Sequence, residues 1–343
     1  MNILMSGINN HLIINSLNHG LVKKIILFIT TLIFLLSPAQ VLAGQGEVLG
    51  IHILHPYEFE QVNELLTDHN QDNWRYVTIP LSLNDLEKHD QWQKFFDECQ
   101  QAKFIPLVRL ASKPEGAVWK IPNRHELVSL ISFLSALNWP TDQKYIMVLN
   151  EVNHAQEFGG KIEPAEYVEI LEFTSLWAHS ENKNYQVLPA AMDLAANNSV
   201  ETREAFAYLQ AMQVANPNWL ELIDYWNSHS YPNPGFSAAP QKNGQNSLRG
   251  FEHELAWVKQ NSGRDLQVFI TETGWTDNWN TAAWLDSYYE YALQHIWSDE
   301  RIMAVTPFLL QGSPGPFSSF SFLDESGQPT RQYLAFKKLI DNY

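Results

Sequence analysis

Hydrophobic positions fall into two alternating patterns along most of the chain. Short, nearly continuous apolar runs of strand length (EVLGIHIL, RYVTIPLS, FIPLVRLAS, YIMVLNE, YQVLPAAM, LIDYWNSHSY, LQVFITETGW and IMAVTPFLL) are each followed by a longer stretch with apolar residues at helical spacing. A strand with no polar face is what a parallel sheet buried on both sides requires. The long stretches are amphipathic: Leu127, Leu130, Ile131, Leu134 and Leu137 make one such stripe. Pro122 shortly precedes one helix, and Pro164 stands in the first turn of the next. Eight strand-then-helix units follow one another without a linker or low-complexity segment. This predicts an α/β fold, a single-domain (β/α)8 TIM barrel over residues 44–343. A doubly wound open sheet is the competing architecture. It would carry a glycine-rich phosphate loop after its first strand, where this chain reads HPYEFE.

The segment before the first strand follows a different logic. Lys23 and Lys24 precede the apolar stretch IILFITTLIFLL, and SPAQVLAG follows. A basic flank, an apolar core and small residues after a proline predict a signal peptide over 1–43, cleaved after Ala43. The alternative is retention of the same segment as a single anchor. Either reading implies a secreted, periplasmic or cell-surface protein.

Composition narrows the partners. The chain is 45% hydrophobic, ample for a large core, and its net charge is −16. An acidic chain is a poor partner for nucleic-acid phosphates or an anionic membrane surface, so no nucleic acid and no membrane beyond the N-terminal segment are expected. A neutral or cationic substrate is favoured. The one cysteine, Cys99, permits neither an intrachain disulfide nor a thiolate metal cage, and its helical setting predicts a packed thiol. The expectation is a monomer with no cofactor and no metal.

In a barrel of this kind the chemistry sits where strands end. The predicted strand ends offer His55 on the first strand, Arg109 on the third, Asn150 and Glu151 on the fourth, and Glu272 on the seventh. The sixth offers Asn227, His229 and Tyr231, which alternate by two and so share a face. Two carboxylates at the ends of strands four and seven can converge over the barrel mouth. There a protonated one can give its proton to a glycosidic oxygen while an ionised one attacks the anomeric carbon. A separation of about 5–5.5 Å would predict retention of configuration.

Asn-Glu after strand four, Glu in an ETGW context after strand seven and His-x-Tyr after strand six resemble clan A of the glycoside hydrolases. The resemblance implies a retaining glycosidase acting on a β-linked glycan, with Glu151 as acid/base and Glu272 as nucleophile. It also implies that Asn150 bonds the sugar 2-hydroxyl, Tyr231 contacts the nucleophile and His229 lines the subsite. Two departures stand out. Many clan members carry an arginine at the end of strand two, where this chain reads TIPLS. Arg109 is then either its replacement beside the nucleophile or a structural ion pair. Many also place a tryptophan at the end of strand eight; here Phe308, Phe317 or Trp275 would have to supply the sugar platform. Trp119 and Trp279 lie in loops after strands three and seven and are further stacking candidates.

Rival readings remain open at this stage. A metal-dependent hydrolase would need several strand-end histidines, yet His52 and His55 are spaced by three and so point to opposite faces. A barrel that binds sugar without cleaving it, and a transglycosylase that hands the same intermediate to a sugar acceptor, share the resemblance.

Overall fold

A computed structural model describes residues 48–67 and 73–342. The leader read at 1–43 lies outside the described residues. Eight strands alternate with eight principal helices in a (β/α)8 barrel: β1 (Gly50–His52), α1 (Phe59–Leu66), β2 (Arg75–Leu81), α2 (His89–Ala102), β3 (Phe104–Leu110), α3 (Arg124–Ser135), β4 (Lys144–Val148), α4 (Pro164–Glu181), β5 (Tyr185–Pro189), α5 (Ala205–Ala215), β6 (Trp226–His229), α6 (Gly250–Ser262), β7 (Val268–Glu272), α7 (Leu285–His295), β8 (Ile302–Val305) and α8 (Arg331–Asn342). A short antiparallel hairpin pairs Pro114–Glu115 with Val118–Trp119 in the connection after β3.

The barrel ladders are parallel and run in two blocks, β1 to β5 in order and β6 to β8 in order. Single parallel bridges, Leu49 with Val305 and Asp193 with His229, span the two seams. Backbone bonds from Val305 N to Val48 O (2.7 Å) and from Asp224 N to Val187 O (2.9 Å) reinforce them. Near the first seam the Thr78 and Thr306 hydroxyls meet at 2.7 Å, from strands on either side of β1. This needs Gly50 in β1, because a Cβ there would lie 2.2 Å from the Tyr76 carbonyl oxygen.

Alternation along the strands explains why they read as unbroken apolar runs. Leu107, Tyr145, Met147, Leu188, Phe269 and Ala304 form one cluster. Their neighbours Val108, Ile146, Val148, Val187, Val268 and Ile270 join the larger cluster shared with the helices. Both faces are buried, so apolar residues dominate each, and the polar ones among them, such as Thr78 and Ser228, are hydrogen-bonded. The α3 stripe behaves as its spacing predicts, with Leu127, Leu130, Ile131 and Leu134 buried, and Asn123 caps the helix by accepting from Glu126 N at 3.1 Å. In α2, Cys99 is buried beside Trp92, Phe95 and Phe96, and burial pushes its thiol well above the ordinary range, which makes it a poor nucleophile.

Candidate active site

The end of β4 leaves ordinary strand geometry. Leu149 and Glu151 have φ of +68° and +31°, the left-handed region that L residues other than glycine seldom occupy. Neighbouring bonds hold this turn. Leu149 N donates to Leu110 O (3.1 Å), and His154 N donates to Glu151 O (2.8 Å). The Asn153 amide donates to the carbonyls of Asp193 and Arg203, both at 3.0 Å. The buried Tyr167 of α4 donates to Val148 O (3.0 Å) and accepts from Ala190 N (2.6 Å), so it ties the ends of β4 and β5 together. Glu151 is thereby carried to the mouth with a side chain 23% exposed.

Glu272 ends β7 and is nearly buried. Arg109 Nη1 donates to its Oε1 at 2.7 Å, and the Tyr231 hydroxyl donates to its Oε2 at 3.1 Å. His229 stands between the two glutamates, with Nδ1 2.8 Å from Glu151 Oε1 and 3.7 Å from Glu272 Oε2. One donor atom each from Glu151, His229 and Glu272 lies within 4.8 Å of the other two.

Burial alone would favour a neutral Glu272, but the charges of His229, His52 and Arg109 and the Tyr231 hydrogen bond outweigh it, and its pKa is lowered. His52 has its own pKa lowered to about 3 by burial, so near neutral pH it carries no charge and the stabilising charges are those of Arg109 and His229. His229 is the counterpart: burial opposes its charge, yet Glu272 and Glu151 prevail and raise its pKa. Burial pushes the Tyr231 phenol well upward, which keeps its proton available to donate. Arg109 also donates to Asn150 Oδ1 at 2.8 Å, and Asn150 Nδ2 donates to Glu157 Oε2 at 3.3 Å. Glu157 has a raised pKa, chiefly from burial, with Arg109 opposing and Glu151 adding to the rise.

The structure therefore brings Glu151, Glu272, Asn150, His229, Tyr231 and Arg109 into one constellation, two hydrogen-bonded groups joined by the His229–Glu272 ion contact. Two expected members do not join it. His55 is exposed, its ring stacks on Tyr57 (centroids 4.9 Å apart), and the charges acting on it are Asp85 and Lys88. The reason is that β1 ends at His52, so His52 is the histidine of this strand that reaches Glu272, with Nδ1 3.6 Å from Oε1. Trp275 is fully buried among Tyr288, Tyr289 and Trp297, and its indole N–H donates to Ala238 O at 2.8 Å. No face of its ring is open to a sugar. Of the other platform candidates, Phe308 stands edge-on to His52 at 5.2 Å, and Phe317 lies 5.1 Å from Phe308 and is 45% exposed. Trp119 is half-buried on the hairpin, and Trp279 is 90% exposed.

Sequence reasoning missed His52 and Glu157 as members of the site. His52 could have been found by ending the first strand two residues earlier; Glu157 sits in a short turn with no periodicity to mark it. Chemically, the constellation pairs a carboxylate held towards its ionised form with a second, more accessible one, an oxygen of each lying within 4.8 Å of the other. Glu151, His229 and Glu272 also form a donor set able to meet one cation, although Arg109 already neutralises Glu272 there.

No family model matches the chain, and no curated protein does either. Solved structures do. A monomeric β-xylosidase from Caulobacter crescentus CB15 aligns with TM-score 0.56 and 14% identity, over 85% of this chain and 67% of the xylosidase. A family 39 glycoside hydrolase from the gut symbiont Bacteroides cellulosilyticus WH2 aligns with TM-score 0.57 and 15% identity, over 87% of this chain and 64% of that enzyme. A variant of the endo-β-1,4-glucanase from Xanthomonas axonopodis pv. citri aligns with TM-score 0.56 and 12% identity, over 86% and 99%. At these identities the likeness is one of fold, and the chain shares the (β/α)8 barrel of these three proteins.

Proposed function

We propose that this protein is a retaining glycoside hydrolase acting on a β-linked glycan. The observation that carries the reading is the pair of glutamates ending β4 and β7, with carboxylate oxygens within 4.8 Å of each other. Oxygens that close suit the short carboxyl spacing of the double-displacement mechanism, about 5–5.5 Å, better than the wider gap, about 6.5–9.5 Å, that an inverting enzyme needs for its water. The xylosidase and endoglucanase of like fold are both named for β-linked sugars.

Glu272, held ionised by Arg109 and His229, attacks the anomeric carbon as the bond to the leaving oxygen breaks. Glu151 gives that oxygen its proton. His229 Nδ1, 2.8 Å from Glu151 Oε1, is the group with which Glu151 shares that proton. In the second half, Glu151 takes a proton from water, and the resulting oxygen displaces Glu272 from the sugar. Tyr231 and Arg109 steady Glu272 as nucleophile and as leaving group. Asn150 is placed to bond the 2-hydroxyl. The leader at 1–43 supports export to the periplasm, the cell surface or the medium.

Trapping tests the mechanism. The protein is incubated with a panel of activated 2-deoxy-2-fluoro β-glycosides and the product is digested. One added sugar on the peptide bearing Glu272 is expected. A label on another residue, or a product of inverted configuration, rejects the reading.

A further inference from the structure

Glu157 takes part in no step of the double displacement, yet it is built into the site. Its 3-10 turn, Ala155–Glu157, is anchored on both sides: Ala155 N donates to Glu201 O at 2.8 Å, and Phe158 is fully buried. Its carboxylate meets Asn150 Nδ2, while Arg109 meets Asn150 Oδ1. A guanidinium only donates and a carboxylate only accepts, so the partners dictate which end of the amide is which. Arg109 fixes the oxygen, and Glu157 fixes the tilt of the amide plane by taking one of the two N–H groups. The other N–H is left for an outside acceptor.

We infer that Glu157 is a positioning residue, which aims the free N–H of Asn150 at the 2-hydroxyl of the sugar undergoing cleavage. The inference rests on the glycosidase reading. It makes that 2-hydroxyl part of what the site selects, through a residue that itself stands behind Asn150. The contact matters most in the transition state, where bonds to the 2-hydroxyl strengthen. Removing the acceptor lets the amide rotate away, and the loss appears only with substrates that carry the hydroxyl.

The experiment compares kcat/KM for the best-cleaved aryl β-glycoside of a gluco, xylo, galacto and manno panel with kcat/KM for its 2-deoxy counterpart. The ratio of the two is unaffected by the fraction of folded enzyme. Glu157→Ala, and Glu157→Met at similar volume, are expected to lower the ratio about tenfold, the size of one well-aimed hydrogen bond. Glu157→Gln keeps a carbonyl acceptor for Asn150 and should hold the ratio within about twofold. Asn150→Ala should lower the ratio by itself, and adding Glu157→Ala to it should lower it no further. An unchanged ratio in Glu157→Ala and Glu157→Met, equal losses on both substrates, or a full further loss in the double variant overturns the inference alone. A parent enzyme that cleaves no member of the panel overturns the glycosidase reading and this inference with it.

Discussion

Glu272 and Glu254 are both shut away from water, at 7% and 0% exposure, and their pKa values move in opposite directions. Adjacent residues of β6 serve them. His229 faces Glu272 in the barrel mouth, while Ser228 turns the other way and donates to Glu254 of α6 at 2.5 Å. Burial pushes the Glu254 carboxyl up to about 7, and Ser228, Trp226 and the more distant charge of His229 resist only partly. At Glu272 the same penalty meets a guanidinium and an imidazole, and the pKa falls. Depth therefore does not settle which way a carboxyl's acidity moves; the cations converging on it do. The mouth spends side chains on charge where the barrel-to-helix layer leaves a carboxyl to take up its proton.

The largest effect should come from Glu272→Ala. Turnover is expected to fall by on the order of 10⁵-fold, with azide restoring part of it and giving the inverted glycosyl azide. Turnover within tenfold of the parent would remove the contrast between the two glutamates. Next comes Glu151→Gln, where the loss should track the leaving group: roughly 10²–10⁴-fold on natural glycans, far less on aryl glycosides whose phenolate needs no proton. Equal losses on both substrate types would show that Glu151 does not act as the acid.

Arg109→Gln sharpens the comparison directly, because it moves Glu272 towards the environment of Glu254. Roughly a 10–100-fold loss at neutral pH is expected. Glu272 is active as the anion, and losing Arg109 raises its pKa, so the acidic limb of kcat/KM should move to higher pH. A limb that stays in place would mean that His229 alone sets the charge.

Glu254→Gln should leave turnover nearly unchanged but alter stability. The folded-state pKa of Glu254 is raised above the ordinary 4.5 to about 7. Its contribution is therefore fully present below 4.5 and is lost as pH rises through about 7, a change of up to about 3 kcal/mol. The glutamine variant should flatten the fall of Tm over that window, and identical pH–Tm curves would refute the raised pKa.

Much of this was legible in the chain. Apolar runs mark the strands because both faces are buried, and a glutamate closing such a run, as at Glu151 and Glu272, is conspicuous. His229 and Tyr231 follow from the period of two on β6. Arg109 could not be resolved between a structural ion pair and a partner of Glu272, because register across three strands is a tertiary property. His55 was favoured over His52 because the apolar pattern continues through Ile53 and Leu54, although the strand itself stops at His52. Trp275 shows the limit of reasoning from loops. Its place after a strand end is real, but the packing of Tyr288, Tyr289 and Trp297 around it is decided by α7 and the segment behind it, far along the chain. The thin seams, each one bridge with a few backbone bonds beside it, leave no trace in composition at all.

The left-handed turn at Leu149 and Glu151 has a consequence for descent. Each such residue is held against a preference of roughly 1–2 kcal/mol, which glycine would remove. At Leu149 burial of the side chain offsets that cost, but at the partly exposed Glu151 selection for stability alone would favour glycine or asparagine. A descendant barrel that no longer worked on its substrate would be free to adopt glycine or asparagine at 151, so that one backbone position is a register of whether the carboxylate is still in use.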